Sequence, residues 1–75
     1  MNKDRRNKLR TVVRTVRDCR DTVEYVLDEE DEARDNMSEN LCGSPNYERS
    51  EECSDALGEA LDIFDELIDK IEEAI

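Results

Sequence analysis

The sequence predicts an all-α protein, an antiparallel two-helix hairpin of coiled-coil type that oligomerises into a helical bundle. Charged residues make up 44% of the 75 positions and apolar residues only 36%, and there is no Trp. Such a composition cannot fill a globular core, but a narrow apolar stripe along a helix needs few hydrophobic residues. Two segments show apolar spacings of three and four, which indicate helices packed along their length. A chain this short has marginal stability alone, so we expect it to associate.

The first helix is predicted over about residues 4–35. Asp4 is the expected N-cap, and Asn36 offers a C-terminal stop. The apolar positions form an unbroken stripe with one polar member: Leu9, Val12, Val16, Cys19, Val23, Val26, Glu30, Ala33 and Met37. Val13 and Leu27 widen this stripe. Four heptads of this pattern predict that the helix packs on another helix along its whole length.

The second helix is predicted over about residues 46–75. Ser44 is its expected N-cap and Pro45 its first residue, because proline is tolerated where the backbone amide is unpaired. The apolar stripe of this helix broadens toward the C-terminus and exceeds what one partner helix covers. We therefore expect contacts between copies through its apolar residues: Leu57, Leu61, Phe64, Leu67, Ile68, Ile71 and Ile75.

The connection, residues 36–45, is expected to pack against the end of the hairpin. It has turn-forming residues at both ends, and it also carries Met37 and Leu41, which a flexible linker has no reason to contain. The alternative that these two side chains only cap the helix ends locally stays open.

The charges are separated along the chain. Residues 1–20 hold eight basic and two acidic residues, whereas residues 21–75 hold three basic and twenty acidic ones. An antiparallel hairpin places the basic start beside the acidic end of the second helix, so the charges favour this orientation over a parallel one. The loop end then gathers carboxylates around Arg34 and Arg49. These arginines are either internal salt-bridge partners or the cationic part of a ligand site.

The segment from residue 28 to residue 75 resembles a family of small phage-encoded acidic helical proteins of unassigned role. The family pattern has an acidic helix end, a D-N-M-P-E-x-L-Q-x-S loop, an E-R or Y-E dipeptide and an acidic heptad helix. The chain matches this pattern at eight positions: Asp35, Asn36, Met37, Glu39, Leu41, Ser44, Tyr47 and Glu48. It departs at Ser38, where the pattern has Pro, and at Cys42, where it has Gln. The resemblance implies a phage accessory protein, for which counter-defence is a leading role.

Catalysis is not expected from this sequence. There is no His, no Gly-rich phosphate loop and no Ser or Cys with a plausible base at helical spacing. The three cysteines, Cys19, Cys42 and Cys53, lack a CxxC pair and are expected to be small half-buried residues in a reducing compartment. We therefore expect no catalytic residue, no cofactor and no metal site. No segment is apolar enough to span a membrane and no signal peptide is recognisable, so a cytoplasmic protein of an infected bacterial host is expected.

Three functions are compatible with these features, none of which requires direct contact with nucleic acid or membrane. The first is a counter-defence sponge, a homo-oligomer that holds a small nucleotide signal of host immunity in pockets between subunits. Its ligand-binding residues are predicted at the loop end, with arginines for phosphates, a tyrosine for base stacking and amides for polar edges: Arg34, Arg49, Tyr47, Asn36 and Asn40. The second is a nucleic-acid mimic that inhibits a basic host nuclease or repressor through the carboxylates of residues 21–59. The third is a coiled-coil assembly or adaptor protein.

Overall fold

The computed structural model describes residues 1–37 and 43–75, which form two antiparallel helices. Helix α1 spans Lys3–Asp35 and helix α2 spans Pro45–Ala74. The helices pack along each other in a rod of 60 × 15 × 12 Å. The predicted all-α helical hairpin is confirmed. Leu41, expected to fold back over the hairpin end, lies outside the described residues.

The helix ends follow the local sequence with one correction. Asn2, and not Asp4, is the N-cap of α1, because its side-chain oxygen accepts a hydrogen bond of 2.8 Å from the backbone N–H of Arg5. Asp4 lies in the first turn, where a carboxylate favours the positive end of the helix dipole. The predicted caps at Asn36 and Ser44 are confirmed. The residue before Ser44, Gly43, has a φ of 83°, a left-handed conformation that a side chain would disfavour.

The side of α1 that faces α2 differs from the predicted stripe at every second position. The buried and half-buried residues along this contact are spaced by three and four, and we call them the α1 seam: Leu9, Val13, Val16, Arg20, Val23, Leu27, Glu30 and Arg34 of α1, and Met37 just after its C-cap. Val13 is only 5% exposed, whereas its neighbour Val12 is 43% exposed. Cys19, Val26 and Ala33, also predicted inside, are exposed as well. The predicted stripe was therefore wrong at these four positions.

The reason for the difference is the width of the apolar surface on α1. Two sets of residues both satisfy spacings of three and four, and they share every second member. A heptad pattern cannot choose between them, because either set forms one continuous face of a helix. The partner helix covers only one set, and the other set lies on the flank of the hairpin.

The α2 side of the contact is a matching seam. Six residues predicted for contacts between copies lie on it and are buried or half-buried in the single hairpin: Leu57, Leu61, Phe64, Ile68, Ile71 and Ile75. The seventh, Leu67, is 45% exposed. Among the described residues, only Val13 and Ile68 are buried apolar side chains. Because buried apolar area is the main source of stability, a core this thin leaves the isolated hairpin marginal.

Two ion pairs join the open end of the hairpin across the helices. Arg17 pairs with Glu72, and Arg20 donates to Asp65 at 2.7 Å. Hydrogen bonds from Arg20 to Asp65 and Glu24 raise the pKa of its guanidinium above the ordinary value. Among residues 1–37 and 43–75, every other surface ion pair lies within one helix. The charge pattern thus agrees with the antiparallel orientation, but few of the expected cross-helix pairs form.

Candidate functional site

Arg34 links the two helices near the loop. It occupies a seam position of α1 where an apolar residue is usual, and its side chain is only 16% exposed. One terminal nitrogen of its guanidinium donates to the carbonyl oxygen of Ser50 at 3.2 Å, to the hydroxyl of Ser50 at 3.2 Å and to the hydroxyl of Ser54 at 2.7 Å. The other donates to Asp31 at 2.8 Å. We call Arg34, Asp31, Ser50 and Ser54 the Arg34 network.

The Arg34 network is closed on itself. The Ser54 hydroxyl donates to the Asp31 carboxylate at 2.6 Å, so Asp31 receives hydrogen bonds from both helices. The bond from Ser54, followed by the bond from Arg34, lowers the pKa of the Asp31 carboxyl. Burial disfavours the charge on Arg34, but its bond to Asp31 prevails and raises the pKa of the guanidinium. The network holds the helix register because its partners come from both helices.

The other residues predicted at the loop end do not form one cluster with Arg34. Asn36 is exposed and caps α1, and its backbone N–H donates to the carbonyl oxygen of Glu32 at 3.1 Å. Tyr47 is half-buried in the first turn of α2. Arg49 is exposed and pairs with Glu52 of its own helix at 3.3 Å. Asn40 lies outside the described residues.

Acid should weaken the hairpin through Asp31. The pKa of the Asp31 carboxyl is lower in the folded protein than its ordinary value of 3.8. The stability that this group contributes is therefore present above that pH. It is lost as the pH falls through the lower pKa of the folded state, because the unfolded chain binds the proton first. We expect Asp31→Asn to reduce stability at neutral pH and to flatten its decline below that pH. Thermal unfolding followed by circular dichroism at several pH values measures both effects.

The matched control is Asp28→Asn, which removes an exposed carboxylate of the same helix outside the Arg34 network. This variant should keep the wild-type pH slope. Parallel pH curves for Asp31→Asn and the wild type would show that the network does not couple folding to pH.

A second candidate site, which the sequence did not predict, lies at the open end of the hairpin. Arg10, Arg14 and Arg17 line an open cleft of about 440 Å³, and its apolar lining is Val13 and Ile75. Arg10 donates to Asn7, and Arg17 pairs with Glu72, which also lines the cleft. Arg14 makes no ion pair or hydrogen bond with any described residue. The signal in the sequence was the spacing of four and three between the arginines, which places them on one side of α1.

The face of the hairpin opposite this cleft is apolar. Residues on the flanks of both seams form it, and we call them the apolar face: Val12, Cys19 and Val26 of α1 with Ala56, Ile63 and Leu67 of α2, which are exposed, and Cys53 and Ala60 of α2, which are half-buried. One groove of about 340 Å³ is lined by Val26 and Glu30 of α1 and by Cys53, Ala56 and Leu57 of α2, so the two flanks meet on the same side. Ile63 is 63% exposed and Val26 is 45% exposed.

The sequence pattern of the apolar face is that of a second helix contact. Its α2 members follow one another at spacings of three and four from Cys53 to Leu67, which is a complete heptad stripe beside the seam. Its α1 members recur every seven residues. Helical geometry places Lys8 and Glu29 along its α1 edge, and Arg49 and Lys70 along its α2 edge. Carboxylates reach this face at Glu29 on its α1 edge and at Glu30 beside its groove.

The comparisons with known proteins leave the family open. No protein-family model matches the chain, and neither the curated proteins nor the solved structures give a significant match. The resemblance to small phage proteins stays a prediction. Neither helix contains a stretch apolar enough to cross a lipid bilayer. Within residues 1–37 and 43–75, no group of three or more acidic or thiol side chains is arranged to hold a metal ion.

Proposed function

We propose that the protein acts by association and without catalysis, as a helical hairpin that assembles with itself through its apolar face. The observation that carries this proposal is the heptad stripe of α2 that lies outside the seam. Large exposed apolar side chains in a heptad pattern are costly in water unless another helix covers them. The thin core of the single hairpin gives the same indication, since only Val13 and Ile68 are buried apolar residues in its described part.

Native mass spectrometry over a concentration series tests this proposal. We expect a defined oligomer that dissociates on dilution, and a helix content that falls with it, because the hairpin loses its cover. A protein that is monomeric and fully helical at every concentration would contradict the proposal.

A second candidate function is sequestration of a small nucleotide signal by this assembly. The resemblance to phage proteins implies counter-defence, and a sponge needs a pocket with cations but no catalytic group. The arginine-lined cleft at the open end supports this candidate, since Arg14 has no bond to any residue of 1–37 or 43–75 and two apolar residues lie beside the arginines. The loop-end site supports it less, because both terminal nitrogens of Arg34 donate within the Arg34 network.

Two arginine variants distinguish these sites. The oligomer is incubated with a panel of cyclic dinucleotides and ADP-ribose derivatives, and retained nucleotide is measured by native mass spectrometry. We expect Arg14→Ala to lose retention by tenfold or more, since a charge-assisted bond to phosphate contributes about 1.5 to 3 kcal/mol. Arg49→Ala is the matched control and should retain nucleotide.

The reverse result would return the site to the loop end, where Arg49, Tyr47 and Asn36 were predicted to act. Retention of nucleotide by neither the wild type nor the variants would rule out sequestration of these ligands. Circular dichroism of both variants checks that helix content is unchanged. An exposed arginine should be replaceable without loss of the hairpin.

The nucleic-acid mimic remains a candidate because the loop-proximal half of the rod is covered by carboxylates. Those of α1 and α2 in this half that are exposed include Asp28, Glu29, Glu32, Asp35, Glu48, Glu51, Glu52 and Asp55. Such a surface fits a basic groove on a host nuclease or repressor. Capture of a basic host protein that collapses as salt is raised would support the mimic over the sponge.

A further inference from the structure

We infer that a second copy of the same chain covers the apolar face with its loop at the same end of the rod. This arrangement rests on the proposed self-assembly, and we call it the loops-together dimer. Its two-fold axis runs along the rod between the two hairpins. Each α1 packs against α2 of the other copy, so neighbouring helices of the four-helix bundle are antiparallel between copies as they are within one chain.

The register of the hairpin is the observation behind this inference. Arg20 of α1 bonds Asp65 of α2. Asp31, eleven residues further along α1, bonds Ser54, which is eleven residues back along α2. The two helices therefore keep one register, in which residue 20 lies level with residue 65. In this register apolar residues outside the two seams lie level in pairs to within one residue: Val12 with Ala74, Cys19 with Leu67, Val26 with Ala60, and Ala33 with Cys53.

A two-fold axis along the rod makes these level pairs the contacts between copies. Such an axis leaves every residue at its own level, so Cys19 of one copy meets Leu67 of the other, and Val26 meets Ala60. Each of these two pairs combines a small side chain with a large one, which is how the layers of a packed core interdigitate. The parts of the apolar face on both helices are therefore covered along their whole length.

The α1 side of this contact is a complete stripe. Two exposed threonines, Thr15 and Thr22, lie between the three α1 members of the apolar face and give it spacings of three and four. Their hydroxyls donate to backbone carbonyl oxygens four residues earlier in α1, at 3.0 Å and 3.2 Å. Because these hydroxyls already have partners within the helix, a second copy can cover them without the loss of a hydrogen bond.

A copy turned end for end would cover the apolar face only in part. Its two-fold axis crosses the rod at one level, whereas the two parts of the face have different centres. The α1 part is centred on Cys19, which lies level with about residue 66, and the α2 part is centred on Ala60. These levels are about six residues apart, or about 9 Å along the rod, so no single axis serves both helices.

The loops-together dimer gathers carboxylates at one end, and their repulsion has a measurable sign. Residues 21–58, the loop-proximal half of each copy, hold thirteen acidic and two basic residues, a net charge of −11. The α2 members of the apolar face are all uncharged, so these charges surround the contact. Repulsion between exposed charges reaches only about 8 Å at physiological salt, and added salt screens it further. We expect association to strengthen as salt is raised, and weakening would contradict this arrangement.

Cysteine cross-linking tests the orientation. One variant, Cys42→Ala with Cys53→Ala, keeps only Cys19, and a second, Cys19→Ala with Cys42→Ala, keeps only Cys53. Both are treated with a bismaleimide that spans about one helix diameter, ~10 Å, and analysed by denaturing electrophoresis. In the loops-together dimer each cysteine lies level with its counterpart. In an end-for-end dimer centred on the apolar face, near residue 63, the two Cys53 residues lie ~30 Å apart, because each is about ten residues from the axis.

We expect the Cys53 variant to form at least about one third as much cross-linked dimer as the Cys19 variant, once a monofunctional maleimide has corrected for thiol reactivity. A smaller yield from Cys53 would overturn the loops-together orientation, because a short linker cannot span several helical turns. Native mass spectrometry of the same samples separates the two proposals. A monomer would refute self-assembly itself, whereas a dimer without Cys53 cross-links would refute only the orientation.

The matched control places the thiol on the outer side of α1. It carries Tyr25→Cys, with all three native cysteines replaced by alanine. Tyr25 is 65% exposed and lies away from the apolar face, so this variant should give at least about tenfold less cross-linked dimer, since the linker would have to pass around two helices. A yield equal to that of Cys19 would show that the copies do not meet through the apolar face and would refute the arrangement.

Discussion

Replacing Val13 by alanine is expected to lower the free energy of unfolding by about 2 kcal/mol more than the same replacement at Val12. Val13 is 5% exposed and Val12 is 43% exposed, so only the first loses two buried methyl groups, at about 0.8 kcal/mol each, and leaves a cavity. Both changes raise helix propensity equally, which makes the two variants a matched pair. Chemical denaturation followed by circular dichroism measures the difference.

Protein concentration separates the seam from the apolar face in this comparison. The loss in Val13→Ala belongs to the hairpin itself and should persist in dilute protein. A loss in Val12→Ala should appear only where the protein is assembled, because the proposed self-assembly covers Val12 with a second copy. If Val12→Ala were the more destabilising variant in dilute protein, the α1 seam would be the stripe predicted from the sequence.

The double variant Ile63→Glu with Leu67→Glu is expected to abolish assembly. Both side chains are exposed in the hairpin, 63% and 45%, so the substitutions cost little within one chain. In the assembly, each introduces a carboxylate into an apolar contact, and burying a charge without a partner costs several kcal/mol. We therefore expect association to weaken by more than about a hundredfold, which corresponds to about 2.8 kcal/mol. Sedimentation equilibrium measures the mass.

A charge-matched control is available on the outer side of α1. Thr11 and Tyr25 are exposed there, away from the apolar face, and Thr11→Glu with Tyr25→Glu adds the same two negative charges. This control should retain the wild-type mass. If both double variants dissociate alike, net charge and not the apolar face would control assembly. If neither dissociates, the contact between copies lies elsewhere.

The first experiment tests the contact within one hairpin, and the second tests the contact between copies. The first asks which apolar stripe of α1 closes the hairpin, and the second asks what the remaining apolar surface is for. A helix with two overlapping stripes can serve both contacts, since it faces one helix within the chain and another in a second copy. The predicted contacts between copies at Leu57, Leu61, Phe64, Ile68, Ile71 and Ile75 stay untested, but these side chains are already used in the seam of a single chain.

The sequence by itself determined the class of fold, the antiparallel orientation and most helix ends. Apolar spacings of three and four are a local property of a helix, and charge separation is visible in the chain, so neither needs a structure to be recognised. The caps at Asn36 and Ser44 follow from residue type in the same way. Asp4 was misassigned because Asn2, two residues earlier, is an equally good cap.

Only the tertiary structure decided which members of the wide α1 stripe face α2. Val12 and Val13 lie about 100° apart around the helix, and burying one set and not the other is a rotation of the contact face by roughly half that angle, which no heptad count resolves. The same rotation placed Arg20 and Arg34 in the seam, bonded to Asp65 and to the Arg34 network. It also placed Arg10, Arg14 and Arg17 around one cleft and left the apolar face uncovered. A helix periodicity specifies a surface, but the partner that packs on it selects which part of that surface is buried.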